Sequence, residues 1–322
     1  IKIFNRGDDT ILVEKNMIAI ENKNTLFAYG DSAFEMYEKA PGNIHISYPL
    51  SNGVIADIKN MELLIKYFIS DLTRSNLKPA DYFIAVPTDV TEVEKRAFYD
   101  LIRDAGVKAR RIMVVEKAVA DGLGLDIDVK NSQGVLIVNV GYDTTEISIL
   151  SLGGIVLSRL IKVGGQKFDD AIRAAVRREF SLIIGGKTAE NVKMSLSDLE
   201  KEGKGAVVYG RDIVTGLPVE RELPTKLIDE CLVEHFHTII DNIKVILERT
   251  PPELAADIYR HGVYLTGGAS QVNHLAELVQ KGTGLKVNVS ENPITSVALG
   301  LSKIIKDDNY KSVAYAIEGM SK

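Results

Sequence analysis

The chain has a single cysteine, Cys231, among 322 residues. That excludes an internal disulfide framework and fits a reducing, cytoplasmic compartment. No uninterrupted apolar run approaches the roughly 18 residues of a membrane span, and no signal-peptide pattern is visible. The charge balance lacks a basic excess: formal net charge is −5 and the isoelectric point is near 5.7. This argues against a nucleic-acid binder working through broad electrostatics. No low-complexity segment and no Gly/Ser linker interrupts the chain. No Ser/His/Asp constellation and no zinc-type spacing of Cys and His is present. His235 and His237 flank Phe236 on a helical pattern, point to different faces, and do not suggest a metal.

What is present is the composition of an ordinary globular protein, 45% apolar and 26% charged, with the length of about two domains. Residue 1 is Ile, and Ile1-Lys2-Ile3-Phe4 already alternates as a strand. The chain is therefore expected to begin inside a sheet, with sequence upstream of it. Tyr82 to Pro87 reads as a buried strand ended by proline. Thr91 and Glu94 form a capping box for a helix to Ala105, with Val93, Ala97, Leu101 and Ala105 on one face. Arg111 to Val115 is the next strand, and Ala118 to Leu125 a helix. The alternation indicates an α/β domain. A second unit opens near residue 132, with strands at 135–140, 145–150, 155–162, 262–266 and 285–289. Helices are expected from Phe168 to Phe180, Thr188 to Ser195, Leu227 to Leu247, over 270–281 and from Ile294 to Ile305. Residues 206–223 read as a polar hairpin around Thr215-Gly216-Leu217-Pro218.

Two glycine turns carry the chemistry. Leu136 to Val140 runs into Gly141-Tyr142-Asp143-Thr144-Thr145 and leaves as a second strand. Such a turn can aim backbone N–H groups and two threonine hydroxyls at a phosphate. Taken alone it could equally be a plain hairpin turn. Val263 to Thr266 leads into Gly267-Gly268-Ala269, which suits a second cradle. Together the pair suggests a nucleotide held between two halves. Glu116 ends a strand, where binding carboxylates collect in open sheets. It is open to reading as a general base or as a solvated glutamate. Glu190 and Lys193, three apart on a helix, either bracket ribose hydroxyls or form a simple ion pair.

Several stretches, in order, carry a resemblance. They are Pro41-Gly42-Asn43-Ile44, Tyr48-Pro49-Leu50-Ser51-Asn52-Gly53-Val54-Ile55-Ala56-Asp57 and Val86 to Ala97. Gly210-Arg211-Asp212-Ile213-Val214-Thr215-Gly216-Leu217-Pro218, Leu265 to Gly268 and Glu291 to Gly300 follow. From about residue 1 to 305 the sequence resembles the bacterial actins of the MreB and MreB-like (Mbl) family, rod shape-determining proteins. The resemblance implies an α/β, actin-like ATPase fold: two ribonuclease H-like domains, divided into four subdomains around a nucleotide cleft. On that pattern subdomain IA takes 1–17, 61–132 and 295–322, and IB takes 18–60. IIA takes 133–166 and 230–294, and IIB takes 167–229.

The resemblance implies ATP and Mg2+ as cofactors. It places Gly141, Tyr142, Asp143, Thr144 and Thr145 on a phosphate loop, and Gly267, Gly268 and Ala269 on an adenosine loop. Glu190 and Lys193 fall beside the ribose and base, and Glu116 where a glutamate positions the hydrolytic water. No side chain is assigned to a metal. The implied partners are further copies of the chain in paired protofilaments, the inner face of the cell membrane and the cell-wall elongation machinery. Nucleic acid is not among them. The matching membrane loop, Ser75-Asn76-Leu77-Lys78-Pro79, offers one leucine and no aromatic partner.

The sequence also departs from the family pattern. The first phosphate loop, Asp-Leu-Gly-Thr, would fall before Ile1. Asn139 stands where the family has an aspartate, Tyr142-Asp143 replace two glycines, and Lys117 replaces a proline. Slow ATP hydrolysis is the expectation. A small-molecule kinase, a chaperone-type ATPase and a hydrolysis-deficient filament subunit are the rival readings.

Overall fold

The computed structural model describes residues 1–74 and 78–317. Ser75 to Leu77 of the expected membrane loop lie outside the described residues, as do 318–322 of the C-terminal segment. The described chain divides into two compact units, residues 1–132, 150–156 and 295–322, and residues 133–149 and 157–294.

In the first unit the strand Ala80–Val86 lies parallel to Ala109–Glu116, with the helix Glu92–Asp104 as the crossover. The helix starts where its capping box sets it. Glu94 N donates to Thr91 Oγ1 at 3.2 Å, and Thr91 N donates back to the Glu94 carboxylate at 2.7 Å. The buried face differs from the expected one. Val93 in the first turn is 79% exposed, and Phe98, Leu101 and Ile102 carry the packing. Leu101 and Ile102 join Met61, Leu64 and Phe68 of the helix Ile58–Leu72 in one core. A short C-terminal strand, Ala314–Tyr315, pairs antiparallel with the end of Ala109–Glu116.

The helices Lys117–Gly124 and Ser296–Lys306 touch backbone to backbone. A Cβ on Gly124 would lie 1.9 Å from Ser296 O, and one on Gly300 would lie 1.7 Å from Ala120 O. Only glycine permits this approach. Ser296 Oγ donates to buried Asp121 at 2.7 Å and locks the crossing. Residues 18–47 form a small three-stranded sheet with a helix, Gly30–Met36, that the mixed pattern there did not foretell.

The second unit is built on a five-stranded sheet in which Val135–Val140 is central and parallel to Val263–Thr266. Its central strand, Val135–Val140, is buried at every residue and reads as nearly continuous Val/Ile/Leu because both faces are covered. The tip of its hairpin, residues 150–156, is counted with the first unit. Phe168 and Ile172 of the helix Gly165–Phe180, Leu196 of Gly186–Glu202, and Leu232 and Phe236 of Thr225–Glu248 close one core. Each such side chain contributes about 1.5–3 kcal/mol on full burial.

Three helices differ from the sequence reading. The first starts at Gly165, because Gly164-Gly165 enters it and does not merely precede it. The second runs to Glu202, where Gly203 ends it in a left-handed conformation. The expected helix over 270–281 splits into a short 3₁₀ turn, Gly268–Gln271, and the helix Leu275–Thr283, because His274 adopts φ +65° between them. A further helix, Pro252–His261, was not anticipated. The hairpin of Ala206–Asp212 and Pro218–Leu223 is present, but its turn is less polar than expected. Val214 and Leu217 are 84% and 62% exposed. Among the described residues no helix is long and apolar enough to cross a membrane.

Candidate functional site

The central strand of the second unit leaves its sheet at Gly141. Gly141 N donates to Thr144 O at 2.8 Å, which closes the turn and sends Thr145 into the next strand. The two threonines that follow the turn are both buried. Thr145 is fully buried and its Oγ1 donates to Val163 O at 2.7 Å. Its hydroxyl braces the turn from behind. Thr144 is buried to 8% exposure. Tyr142 is exposed and Asp143 half-buried.

A second glycine segment sits on this turn. Gly165 N donates to Gly141 O at 3.0 Å, and Gln166 N to Tyr142 O at 2.8 Å. The first amides of the helix Gly165–Phe180 are thereby fixed against the turn. Gly164 is obligatory there: its Cβ would lie 2.6 Å from Gly141 O and 2.7 Å from Tyr142 O. The third segment is Gly267-Gly268-Ala269. Gly267 has φ +91°, and a Cβ would lie 2.3 Å from Val140 O. Its amide donates to Pro293 O at 3.0 Å. Gly268 is exposed, and a Cβ there would meet only Ile294 Cγ1, at 3.7 Å.

All three segments meet at Gly165. From the position of its missing Cβ, Ala269 Cβ and Lys193 Nζ are each 3.4 Å away, and Tyr142 Cδ2 is 3.5 Å away. The structure thus brings the Gly141–Thr145 turn, Lys193 and the Gly267–Ala269 segment together around Gly165, although more than a hundred residues separate the turns. Lys193 Nζ donates to Gly165 O at 3.2 Å and pairs with Asp169 Oδ1 at 2.7 Å. The pair is almost wholly buried. Burial pushes the Asp169 carboxyl up to about 6, Lys193 pulls it back, and the charge of Glu190 adds to the push. Glu190 is half-buried, one turn before Lys193. Sequence reasoning missed Asp169. Its signal was available: an acid in the second turn of a helix opened by Gly164-Gly165.

A helix N-terminus and glycines that let a ligand approach the backbone suit an anionic phosphate. Asn139 completes the floor. It is 5% exposed, sits opposite Thr266 in the parallel register, and its Oδ1 would lie 2.7 Å from a Cβ on Gly267. The position supplies a neutral amide oxygen where a carboxylate would carry charge. The cradle therefore fits a nucleotide's phosphates better than it fits a metal held by protein carboxylates alone.

Glu116 belongs to the first unit, at the end of Ala109–Glu116. Its Oε1 accepts from Tyr315 OH at 2.8 Å and from Lys95 Nζ at 3.1 Å. Its Oε2 is buried with no hydrogen-bond partner among the described residues. Burial first, and the hydrogen bond to Glu116 second, push the Tyr315 phenol well above its usual range. The carboxylate is thus held by one oxygen while the other is uncommitted, which suits a group that orients water.

The MreB/Mbl protein family model matches residues 1–312. The cell shape-determining protein Mbl of Bacillus subtilis is 36% identical over 305 residues, 93% of this chain and 91% of that protein. MreB5 of Spiroplasma citri, solved with ADP, superimposes with a TM-score of 0.87 at 33% identity, covering 95% of this chain and 93% of that one. Its AMPPNP complex gives 0.85 at 34% identity, covering 93% and 90%. A MamK double helical filament shares the fold at a TM-score of 0.74 and 20% identity, covering 93% and 94%. The fold is actin-like, and the chain belongs to the MreB/Mbl family.

Proposed function

We propose that this chain is a nucleotide-binding filament subunit of the MreB type. It takes ATP with Mg2+ at the cradle around Gly165 and polymerises into paired protofilaments. The filaments lie at the inner face of the cell membrane and organise the cell-wall elongation machinery and cell shape. The observation that carries the reading is the meeting of Gly141–Thr145, Lys193 and Gly267–Ala269 at Gly165. A bound nucleotide would supply the cleavable phosphoanhydride, and Mg2+ held by its phosphates would neutralise their charge.

In this reading the phosphates lie against the turn at Gly141 and the start of the Gly165–Phe180 helix, whose first amides, Gly165 N and Gln166 N, hold the turn's carbonyls in place. Gly267 to Ala269 face the adenosine, and Glu190 and Lys193 the ribose side. Glu116 orients the attacking water. The four-subdomain division set out from the sequence goes with this reading. Head-to-tail stacking within a protofilament is a heterologous contact that does not close, so elongation has no built-in stop. A hydrolysis-deficient filament subunit is the second reading, favoured by the buried amide of Asn139.

Calorimetric titration with ADP and AMPPNP, then pelleting and negative-stain microscopy with ATP and anionic vesicles, test the proposal together. Gly268→Asp places a bulky carboxylate against the anionic nucleotide and is expected to weaken its binding. Equal affinity of this variant and the parent would sink the site assignment. A protein that stays monomeric under all conditions yet phosphorylates a metabolite would favour the kinase reading instead.

A further inference from the structure

Two turns beyond Lys193 on the helix Gly186–Glu202, at about 1.5 Å per residue, stands Glu200. It faces Asp229 of the helix Thr225–Glu248 and His274, the left-handed residue that starts the helix Leu275–Thr283. One ligand atom from each of these three residues lies within 4.8 Å of the others. His274 Nε2 is 3.1 Å from Glu200 Oε2 and 3.8 Å from Asp229 Oδ1. The three donors come from three separate elements and aim at one point.

The surroundings are ordered as a ligand set requires. Asn273 Nδ2 donates to Glu200 Oε2 at 2.6 Å and fixes that carboxylate. His274 Nδ1 faces Glu277 Oε2 at 3.6 Å, so the imidazole's far nitrogen has a carboxylate beside it while Nε2 points into the cluster. Outer partners of this kind orient a metal-bound histidine. Ligand oxygens of Glu200 and Asp229 lie within 4.8 Å of each other. Two carboxylates that close are relieved by a shared proton or by a cation between them. A cavity of about 180 Å³, lined by Asp229, Val233, Phe236, His274, Glu277 and Leu278, opens beside the cluster. It gives an entry path and room for water to complete a coordination shell.

We propose that Glu200, Asp229 and His274 form a binding site for a first-row transition-metal dication, with Zn2+ as its test ligand. One neutral imidazole and two carboxylates balance the charge of a dication. The nitrogen donor sets the class, because Mg2+ and Ca2+ favour all-oxygen shells. Binding would tie together the helix that carries Lys193, the helix Thr225–Glu248 and the segment that follows Gly267–Ala269.

The test is calorimetric titration of the metal-stripped protein with Zn2+, in excess Mg2+ so that oxygen-only sites are filled. Thermal unfolding is followed with and without Zn2+. Two variants keep the fold while changing the ligands. His274→Asn retains a residue that tolerates the left-handed backbone, and Glu200→Gln keeps the side-chain shape. The parent is expected to bind one equivalent and to unfold at a higher temperature with Zn2+. Both variants are expected to lose that shift while unfolding like the metal-free parent in its absence. Asn273→Ala is expected to weaken binding about tenfold or more. Absence of a saturable equivalent in the parent, its retention in His274→Asn, or its displacement by Mg2+ would each overturn the proposal.

Discussion

Gly164→Ala adds one methyl group at the tightest point of the cradle. The new Cβ would lie 2.6 Å from Gly141 O, 2.7 Å from Tyr142 O and 3.0 Å from the Tyr142 carbonyl carbon. Gly164 is extended, with φ −171°, so alanine adopts its backbone without strain and the perturbation is purely steric. To relieve it the turn must retreat by roughly half an ångström, enough to forfeit about a quarter of each contact across the gap. The two carbonyls that retreat are the acceptors for Gly165 N and Gln166 N. Each of those hydrogen bonds contributes about 1 kcal/mol net. Losing both costs about 2 kcal/mol, a fall of about 4–8 °C in the unfolding of a unit this size. A nucleotide that needs the turn and the helix start in register must restore the original spacing on binding. Its affinity is then expected to fall about tenfold or more. The assay is calorimetric titration with ADP and AMPPNP alongside thermal unfolding. Gly42→Ala is the control, since a Cβ there meets nothing within 4 Å, and it is expected to be neutral or slightly stabilising. Parental affinity and an unchanged unfolding midpoint in Gly164→Ala would refute the reasoning.

Asn139→Asp is expected to raise the rate of phosphate release by restoring a carboxylate to the buried floor of the cradle, and Glu116→Ala on that background to lower it again. A parent that already hydrolyses ATP as fast as the Asn139→Asp variant would contradict this. The Asp169 carboxyl, raised by burial to about 6, favours the folded state most when protonated. Its contribution is complete at low pH and is lost as pH rises through about 6. Unfolding midpoints taken from pH 4.5 to 7.5 are expected to show a fall across that window, which Asp169→Asn flattens. Gly300→Ala drives a methyl group to 1.7 Å from Ala120 O and is expected to cost about 2 kcal/mol or more, read as a lower unfolding midpoint for the first unit.

The strand–helix alternation was legible because its signals are local. The capping box at Thr91 and Glu94 set a helix start to within one residue. The unbroken apolar run Leu136 to Val140 marked a strand covered on both faces. What escaped depended on contacts far apart in sequence. Val93 has the periodicity of a core residue, yet it lies in the first turn, beyond the neighbouring elements. Asp169 resembles any acid in a helix until Lys193 is brought against it. Thr145 looks like a phosphate ligand until Val163 O claims its hydroxyl. The glycine turns themselves were readable as a pair. Their meeting point at Gly165 was not, because a residue without a side chain leaves no mark of what surrounds it.

The contact between the helices Lys117–Gly124 and Ser296–Lys306 has a mechanical consequence. With Gly124 and Gly300 at the crossing no side chain lies between the backbones there to change rotamer, so the two helices have no soft way to slide and travel as one piece. Glu116 immediately precedes the first helix. The second leads to Tyr315, whose hydroxyl returns to Glu116. The carboxylate is therefore the closing joint of a linkage made of one covalent arm, one backbone-to-backbone clamp and one hydrogen bond. Glu116 and the C-terminal strand are thus tied to each other twice, by the tyrosine hydrogen bond and through the crossed helices.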